Sequence, residues 1–249
     1  MRDRQPIRWL VLGGVIASAI GIAIGLSIHW FPPAASNRAG KVDTLYDVLI
    51  VCTVPIFVLV ASVILFSAWR FRTRPGEENM DGPPIHGDTR LEIAWTVAPA
   101  VLIIGLVVYA LVVLHDIEAR PAGPQLEVNV TGEQFEWLFQ YPSSVTGGKP
   151  LETAMLVLPE GESVDFNIRS RDVLHAFYVP AFRAQESAVP GITTHLRLTP
   201  TRLGNYDVIC NQLCGLGHAT MRAKLSVVTQ AQFRSWLTRE AQANGVSTT

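Results

Sequence analysis

The sequence predicts a membrane α-helical hairpin, preceded by an N-terminal anchor or signal segment and followed by an all-β Greek-key domain. Hydrophobic residues make up 49% of the 249 residues, too large a share for one plain soluble domain, and the excess lies in three uncharged stretches. After Gln125, short runs alternate apolar and polar residues between Gly and Pro, as half-buried strands do. We therefore expect four parts: a signal or anchor segment (1–44), a helical hairpin (45–120), a β domain (121–228) and a C-terminal amphipathic helix with a tail (229–249).

The three apolar stretches cover about Trp9–Trp30, Val48–Trp69 and Ile93–Leu114. Each is close to the roughly 20 residues that a helix needs to cross a bilayer. Pro55 and Pro99 lie inside the second and third stretches, and membrane helices tolerate such kinks. The sequence therefore predicts three membrane helices, of which the last two form the hairpin.

The first stretch has two interpretations. A basic start followed by an apolar run is also the pattern of a signal peptide, with Ala34-Ala35-Ser36 as a poor cleavage site. The run is longer than the usual apolar core of a signal peptide, which favours a retained anchor.

Basic residues set the expected orientation. They precede the first stretch and lie between the second and third (Arg2, Arg4, Arg8, Arg70, Arg72, Arg74 and Arg90), with only Arg38 and Lys41 between the first and second. The positive-inside rule therefore puts the N-terminus in the cytoplasm and everything after Leu114 outside. Because this N-terminus is unlike a mitochondrial transit peptide, we expect a bacterial inner membrane.

Three runs carry the strand prediction: Leu126–Val130, Ser163–Ile168 and Thr194–Leu198. Gly and Pro mark the turns between them, and about eight strands in roughly 100 residues indicate a Greek-key sandwich or barrel. A capping box at Thr229–Gln232 then predicts a short helix.

The run C-N-Q-L-C-G-L-G-H-A-T-M predicts a metal site. Cys210, Cys214, His218 and Met221 are soft or intermediate ligands suited to copper. Structural zinc prefers repeated C-x2-C pairs or a second nearby His. A blue-copper site would use one Cys, two His and a weak Met. With a second thiolate, and a second imidazole from elsewhere, the ligand count fits a dinuclear copper cluster.

Two histidines compete to supply that imidazole. His175 lies in the apolar run D-V-L-H-A-F-Y-V-P, where burial would require a partner for its ring. His195 is better explained as an exposed strand position. His29 and His115 end apolar stretches and His86 lies in the predicted cytoplasmic loop, so His175 is favoured.

These motifs resemble subunit II of the haem-copper cytochrome c oxidases. The resemblance rests on D-V-L-H-A-F-Y-V-P, A-V-P-G and G-N-Y-D-V-I-C-N-Q-L-C-G-L-G-H-A-T-M, and it implies a cupredoxin fold with a dinuclear CuA centre. Cys210 and Cys214 would then bridge the coppers, with His175 and Met221 on one copper, and His218 and the Gln212 carbonyl on the other. A Cys210–Cys214 disulfide would leave His218 and Met221 unexplained.

The resemblance also implies the function. Such a subunit takes electrons from cytochrome c and passes them to haem in subunit I, where oxygen is reduced and protons are pumped. The expected partners are subunit I, the other oxidase subunits, cytochrome c and membrane lipid, with no nucleic acid. Two alternatives stay open: the CuA subunit of a related nitric oxide reductase, and a membrane-anchored copper carrier or assembly protein.

Two further segments resemble functional parts of this family. L-E-I-A-W-T-V-A-P-A at 91–100 resembles the start of the second hairpin helix, where the glutamate matching Glu92 lies at the mouth of a proton path. The alternative is that Thr89–Glu92 is a capping box. G-E-Q-F-E-W-L-F at 132–139 resembles the aromatic segment that accepts electrons. Phe135 and Trp137 are joint candidates for that role, and core packing is the alternative.

The chain departs from the family at Gln212, where many relatives have Glu. In those relatives the glutamate side chain binds magnesium at the interface with subunit I. Because an amide is a weaker ligand for this hard cation, we expect the magnesium site to be absent or altered. Nearby, Gln185-Glu186-Ser187 replaces the Lys-x-Asp of the family.

Charge gives a further hint about the donor. Residues 125–172 hold eight acidic and three basic side chains. The excess could steer a basic donor protein or be an ordinary solvated strand face.

Overall fold

The computed structural model of the chain describes residues 5–73, 76, 84, 86–120 and 123–244. The chain divides into two compact units. One comprises Met1–His29 and Thr44–Val113, and the other comprises Trp30–Asp43 and Leu114–Thr249. The described residues contain apolar helices followed by a cupredoxin-like β domain, which confirms the predicted fold class.

The first unit is built from three apolar helices. Helix α1 spans Gln5–Ser27, α2 spans Ala39–Arg70 and α3 spans Thr89–Glu118. All three are long and apolar enough to cross a membrane. Large apolar side chains along them, such as Phe57 and Ile104, are exposed, which suits contact with lipid or with other apolar helices.

The start of α3 corrects one expectation. The predicted capping box at Thr89–Glu92 is wrong because Thr89 is already helical. The carboxylate of Asp88 caps the helix by accepting hydrogen bonds from the N–H groups of Arg90 and Leu91, at 3.0 and 3.2 Å. A carboxylate there meets the free N–H groups and also complements the positive end of the helix dipole. Glu92 remains in the first turn.

The second unit contains two five-stranded sheets. The first sheet has the strand order β3-β2-β1-β5-β8, with β1 Leu126–Glu133, β2 Glu136–Tyr141, β3 Leu151–Thr153, β5 Val164–Ser170 and β8 Thr194–Leu198. The second has the order β4-β10-β9-β6-β7, with β4 Leu156–Pro159, β6 His175–Val179, β7 Ala184–Ala188, β9 Gly204–Cys210 and β10 Arg222–Val228. The described residues thus form ten strands where the sequence indicated about eight, because strands as short as β3 and β4 show little alternation.

Two helices complete this unit. Helix α4 is a single turn at Ser143–Thr146, and α5 spans Gln230–Ala243. The predicted capping box at Thr229 and Gln232 is present in full. The capping box fixes the start of α5. From this start, the buried rings of Phe233 and Trp236 pack against Tyr141, at centroid distances of 6.1 and 5.3 Å.

Aromatic rings fill the core. Phe177 on β6 lies 5.7 Å from Trp137, 6.4 Å from Phe139 and 5.5 Å from Phe166, measured between ring centroids. His175 precedes Phe177 by two residues on the same strand, so both side chains point to the same face of the sheet. The packing of Phe177 therefore also buries the imidazole of His175, which is fully inaccessible.

One hydroxyl joins the two sheets inside this core. The Tyr141 hydroxyl, on β2, donates to the carbonyl of Val157 at 2.7 Å and accepts from the N–H of Val157 at 2.9 Å, on β4. Burial raises the pKa of this hydroxyl well above its usual value, so it remains protonated at neutral pH.

Replacing Tyr141 with Phe should destabilise the β unit by about 1–3 kcal/mol, because buried backbone groups of Val157 would lose their partner. Thermal unfolding of the full chain in detergent, followed by tryptophan fluorescence, measures this. Tyr206→Phe is the matched control, since its hydroxyl bonds to a carbonyl in an exposed setting that water can satisfy. Equal effects of the two substitutions would contradict the role assigned to Tyr141.

Candidate metal centre

Strands β6 and β9 bring the first two donors together. The strands are antiparallel neighbours, with Phe177 opposite Cys210. This register places the imidazole Nδ1 of His175 3.8 Å from the Sγ of Cys210. Both side chains are buried.

The loop between β9 and β10 supplies the other donors. Its two ends are joined by a hydrogen bond from the N–H of Cys210 to the carbonyl of Met221, at 3.1 Å. Within the loop, the Sγ of Cys214 lies 3.8 Å from the Sγ of Cys210 and 3.8 Å from the Sδ of Met221. A 3-10 turn at His218–Thr220 holds the Nδ1 of His218 3.7 Å from the Sγ of Cys214. The carbonyl oxygen of Gln212 is 3.2 Å from the Sγ of Cys210.

This donor set fits copper. A metal bound about 2.0–2.3 Å from each of its N and S ligands holds neighbouring ligands roughly 3.3–3.8 Å apart, which is the spacing found here. The two thiols are free, and their separation is far above the ~2.05 Å of a disulfide. The donor atoms of His175, Cys210 and Cys214 all lie within 4.8 Å of one another. Thiolate, imidazole and thioether together favour copper over a hard cation.

A carboxylate that the sequence analysis did not select orients one of these donors. The Oδ1 of Asp172 lies 2.9 Å from the Nε2 of His175, so the other ring nitrogen, Nδ1, is the one that faces the thiols. Burial tends to raise the pKa of Asp172, but hydrogen bonds from His175 and from the N–H groups of Gln134 and Val173 outweigh it and lower the pKa to about 2. Asp172 is therefore ionised, and it holds the imidazole in one orientation.

The tip of the β1–β2 hairpin fixes the metal-binding loop from the other side. The side-chain amide of Gln134 donates to the carbonyl of Cys214 at 2.6 Å. Next to it, the Phe135 ring lies so close to the loop that a Cβ at Gly217 would come within 2.5 Å of ring carbons. Gly215 is also required, because its φ of +130° is strained for other residues.

The structure separates the two aromatic candidates. Phe135 is 38% exposed beside the loop, whereas Trp137 is 1% exposed and packs edge-on against the His175 ring at 5.9 Å. Trp137 thus has the core position that the sequence analysis kept as the alternative. Only Phe135 of the two has surface that a donor protein could touch.

The remaining candidates lie elsewhere. His195 is half-exposed on β8, with its Nδ1 3.7 Å from a carboxylate oxygen of Asp165, as expected for a strand position. Glu92 belongs to the helical unit, and the side chain of Gln212 is exposed.

Internal partners occupy several of the eight acidic side chains of 125–172. Those with a hydrogen-bonding or ion-pair partner are Glu127, Glu133, Glu162, Asp165 and Asp172. Of these, only Glu133 and Asp165 are paired with arginines, so the local acidic charge is partly neutralised within the domain.

Comparison with known proteins identifies the family. The profile of the transmembrane domain of cytochrome c oxidase subunit II matches residues 22–113, and that of its periplasmic domain matches residues 147–228. Cytochrome c oxidase subunit 2 of Thermostichus vulcanus is 30% identical over 281 residues, covering 92% of this chain and 84% of that protein. The chain belongs to the cytochrome c oxidase subunit II family.

The chain is also similar to a second relative and to a solved structure. The alternative cytochrome c oxidase subunit 2 of Bradyrhizobium diazoefficiens is 31% identical, with 91% of each chain covered. The crystal structure of the periplasmic domain of subunit II of cytochrome oxidase from Bradyrhizobium japonicum has 26% identity and a TM-score of 0.45, covering 49% of this chain and 96% of that one. As a family member, the chain is a membrane-bound subunit of an oxidoreductase that assembles with other oxidase subunits.

Copper loading should release a proton from Cys214. Burial, the hydrogen bond with the Cys210 thiol and the nearby negative charges raise the pKa of Cys214 to about 11, so at pH 7 the metal-free thiol is protonated. Because copper binds the thiolate, metal and proton compete, and affinity should rise about tenfold per pH unit for this one proton below pH 11.

Titrating the metal-free full chain with copper(I) in weakly buffered detergent, with a pH indicator, measures the release. We expect fewer protons per bound copper from the Cys214→Ser chain. An unchanged proton count would contradict this account.

Removing the carboxylate of Asp172 should weaken copper binding by about 10–100-fold, the usual effect of losing the group that orients a ligand histidine. Asp172→Asn should fall between the wild type and Asp172→Ala, since its carbonyl can still accept from His175. Competition with a copper chelator gives the affinities. Asp207→Ala, which removes an exposed carboxylate paired with Lys224, is the control; an Asp172→Ala chain that binds as tightly as this control would contradict the proposed orientation.

Proposed function

We propose that this chain is the CuA-bearing subunit II of a proton-pumping cytochrome c oxidase, which takes electrons from cytochrome c and passes them to haem in subunit I. The observation that carries the proposal is a set of six donors, in which four groups surround one pair of buried thiols. They are the side chains of His175, Cys210, Cys214, His218 and Met221 and the carbonyl of Gln212.

The arrangement supports two metals rather than one. The two thiol sulfurs lie at the centre, each with its own imidazole at 3.7–3.8 Å, and the carbonyl and thioether complete the set. These six donors would hold a pair of copper ions, which would supply the one-electron transfer chemistry of the site.

The protein fixes the positions of these donors and shields them from water. Asp172 fixes the ring of His175, Gln134 fixes the carbonyl of Cys214, and Trp137 fills the space beside His175. Donors that are already in place need little rearrangement when charge arrives.

Electrons would be accepted through the surface next to the loop. The ring of Phe135 lies next to Gly217 and is partly exposed to solvent. The loop side chains Leu213 and Leu216 nearby are strongly exposed. Exposed apolar groups of this kind mark surfaces where another protein docks. We assign the contact with cytochrome c to this apolar surface.

The membrane part completes the proposal. We place the chain in a bacterial inner membrane with the β unit on the outer face, in contact with lipid along the apolar helices. Glu92, in the first turn of α3, would lie at the mouth of a proton path into subunit I. With an exposed amide at Gln212, the interface magnesium site would be absent or altered.

Electron paramagnetic resonance of the copper-loaded full chain in detergent tests the dinuclear site. Hyperfine lines from one electron shared by two equivalent copper nuclei are expected. A mononuclear four-line signal would contradict the proposal. Copper that a mild chelator removes would also contradict it and would favour the carrier function instead.

Phe135→Ala should lower kcat/KM for cytochrome c in the assembled oxidase by about tenfold, a loss of roughly 1.4 kcal/mol that is common for an interface aromatic. Copper content and the resonance signal should not change, since Phe135 donates no ligand. Leu203→Ala is the control, because Leu203 is also exposed but precedes β9 at the end opposite Cys210. Equal effects of the two substitutions would overturn the assignment of the docking surface.

A further inference from the structure

We propose that α1 is kept in the mature protein as a third membrane helix, docked on α2 through a glycine face, and is not removed as a signal peptide. The family profile of the membrane domain begins at residue 22, so most of α1 lies outside the matched hairpin. Two independent sets of contacts, one within each unit, support this inference.

One face of α1 is half-buried along its length. The half-buried positions repeat every three or four residues, and the other positions between Ile7 and Ser27 are exposed. They are Leu10, Gly14, Ser18, Gly21, Ile22 and Gly25. This period is that of one helix face, so α1 presents a single, mostly small-residue side to a neighbour.

That neighbour is α2. A Cβ on Gly21 would come 2.8 Å from the Cγ1 of Val54, and one on Gly25 would come 2.8 Å from the Cγ2 of Ile50. The backbone of α1 therefore approaches α2 so closely that a Cβ at either position would require α2 side chains or the helices to shift. In membranes such close approach supplies much of the attraction between helices.

Toward the start of α1 the two helices lie further apart and line a groove of about 490 Å³, which includes Gly14 and Ser18 of α1 and Pro55 and Ser62 of α2. A Cβ on Gly14 would meet no atom within 4 Å, so the close approach is made at Gly21 and Gly25. A Cβ on Gly13, on the exposed side of α1, would also meet no atom within 4 Å. Gly13 therefore provides a matched control for Gly21 on the same helix.

The second set of contacts involves the only candidate cleavage site that the sequence analysis identified, at Ala34-Ala35-Ser36. In the structure, Ala35 is 0% exposed and Ser36 is 6% exposed. The N–H of Ala35 donates to the carbonyl of Ala181, and the N–H of Thr201 donates to the carbonyl of Ala35, both at 2.9 Å. This segment is thus part of the folded β unit.

Neighbouring residues extend this attachment. The Ser36 hydroxyl donates to the carbonyl of Phe182 at 2.8 Å. Asn37 is bonded twice to Thr199: its N–H donates to the Thr199 carbonyl at 3.0 Å, and its side chain accepts from the Thr199 N–H at 2.9 Å. Arg183 adds a bond to the carbonyl of Pro32 at 2.8 Å and a paired contact with Asp43 at 2.7 and 3.0 Å.

A cut at this site would be costly to the folded unit. Cleavage before Ala35 would turn its bonded, fully buried N–H into a charged ammonium group, and burial of an uncompensated charge is strongly unfavourable. Cleavage after Ala35 would put the same charge on the buried Ser36 and separate Ala35 from the chain. Cleavage after Ser36, where an A-x-A-like motif is cut, would remove both buried residues and turn the N–H of Asn37, which donates to the Thr199 carbonyl, into an ammonium group. The segment between α1 and α2, residues 28–38, is called the connector below. It has the structure expected of a segment that stays continuous with α1.

Intact-mass measurement and N-terminal sequencing of the full chain, purified from bacterial membranes with its oxidase partners, test retention. The expected result is a mature chain that still contains α1. A mature N-terminus at residue 35, 36 or 37, or anywhere else after α1, would overturn the proposal.

Disulfide trapping tests the docking. In a Cys52→Ser background, Gly21→Cys is combined with Val54→Cys, and the control combines Gly13→Cys with Val54→Cys. The membranes are mildly oxidised, and the remaining free thiols are blocked. The chain is then digested with trypsin without reducing its disulfides. Because Arg38 and Lys41 lie between α1 and α2, trypsin separates the two helices unless a disulfide joins them. A joined peptide of residues 9–38 and 42–70 is expected from the first pair and not from the control.

If α1 is retained but the first pair gives no joined peptide, or no more than the control, the docking on α2 is overturned. Gly21→Leu in the otherwise unchanged chain provides a second measurement. Because the larger side chain should displace α1 from α2, added protease should cleave the N-terminal segment faster in this variant than in Gly13→Leu. Equal protection of the two leucine variants would also count against the glycine face.

Discussion

The approach of two buried thiols is the constraint on which the rest of the β unit depends. Cys210 ends β9 and Cys214 lies in an irregular loop, yet their sulfurs are 3.8 Å apart. Thiols at this distance become a pair of thiolates only if a cation neutralises them, because like charges in a buried setting repel strongly. Burial first, and then the Cys210 thiol and the Asp172 carboxylate, raise the pKa of Cys214, so that the neutral thiol is favoured where no cation is bound. The fold thus holds in place a pair of thiols whose joint ionisation would be favoured by a bound cation.

An irregular loop cannot keep such a geometry by itself, and the surrounding elements supply what it lacks. The ends of the loop are joined across β9 and β10, the hairpin tip bonds to Cys214, and Asp172 holds His175. Each contact comes from a part of the chain distant in sequence. The same hairpin tip carries Phe135, so the surface that we assign to the donor protein and the scaffold of the site are one element. A donor that docks there would contact a rigid support and need not reorganise it.

A feature could be predicted from the sequence when it depends on residues that are close together along the chain. Alternation, hydropathy and the spacing of Cys210, Cys214, His218 and Met221 are local properties, and they predicted the helices, the β domain and most of the donor set. Asp172 was missed although it lies three residues before His175, because only the folded β5–β6 turn shows that its carboxylate meets the ring. The roles of Phe135 and Trp137 could not be separated either, since burial depends on which side of a hairpin faces the other sheet. At α3 the sequence pattern predicted a cap at Thr89, and the structure uses Asp88, one residue earlier.

The connector before α2 links the helical unit and the β unit covalently. Through this link alone, the packing of each unit can depend on the other. Residues of this connector lie among the hydrogen bonds of the β unit, and Ala35 belongs to its core. The helix that precedes them in sequence has a glycine face closed against α2. Loss of the first helix by cleavage at the connector would therefore disturb the packing of the copper-binding unit as well as that of the membrane unit. A family built on a two-helix hairpin could acquire a third helix in this way, because the added segment is stabilised by contacts that the hairpin and the β domain already offer.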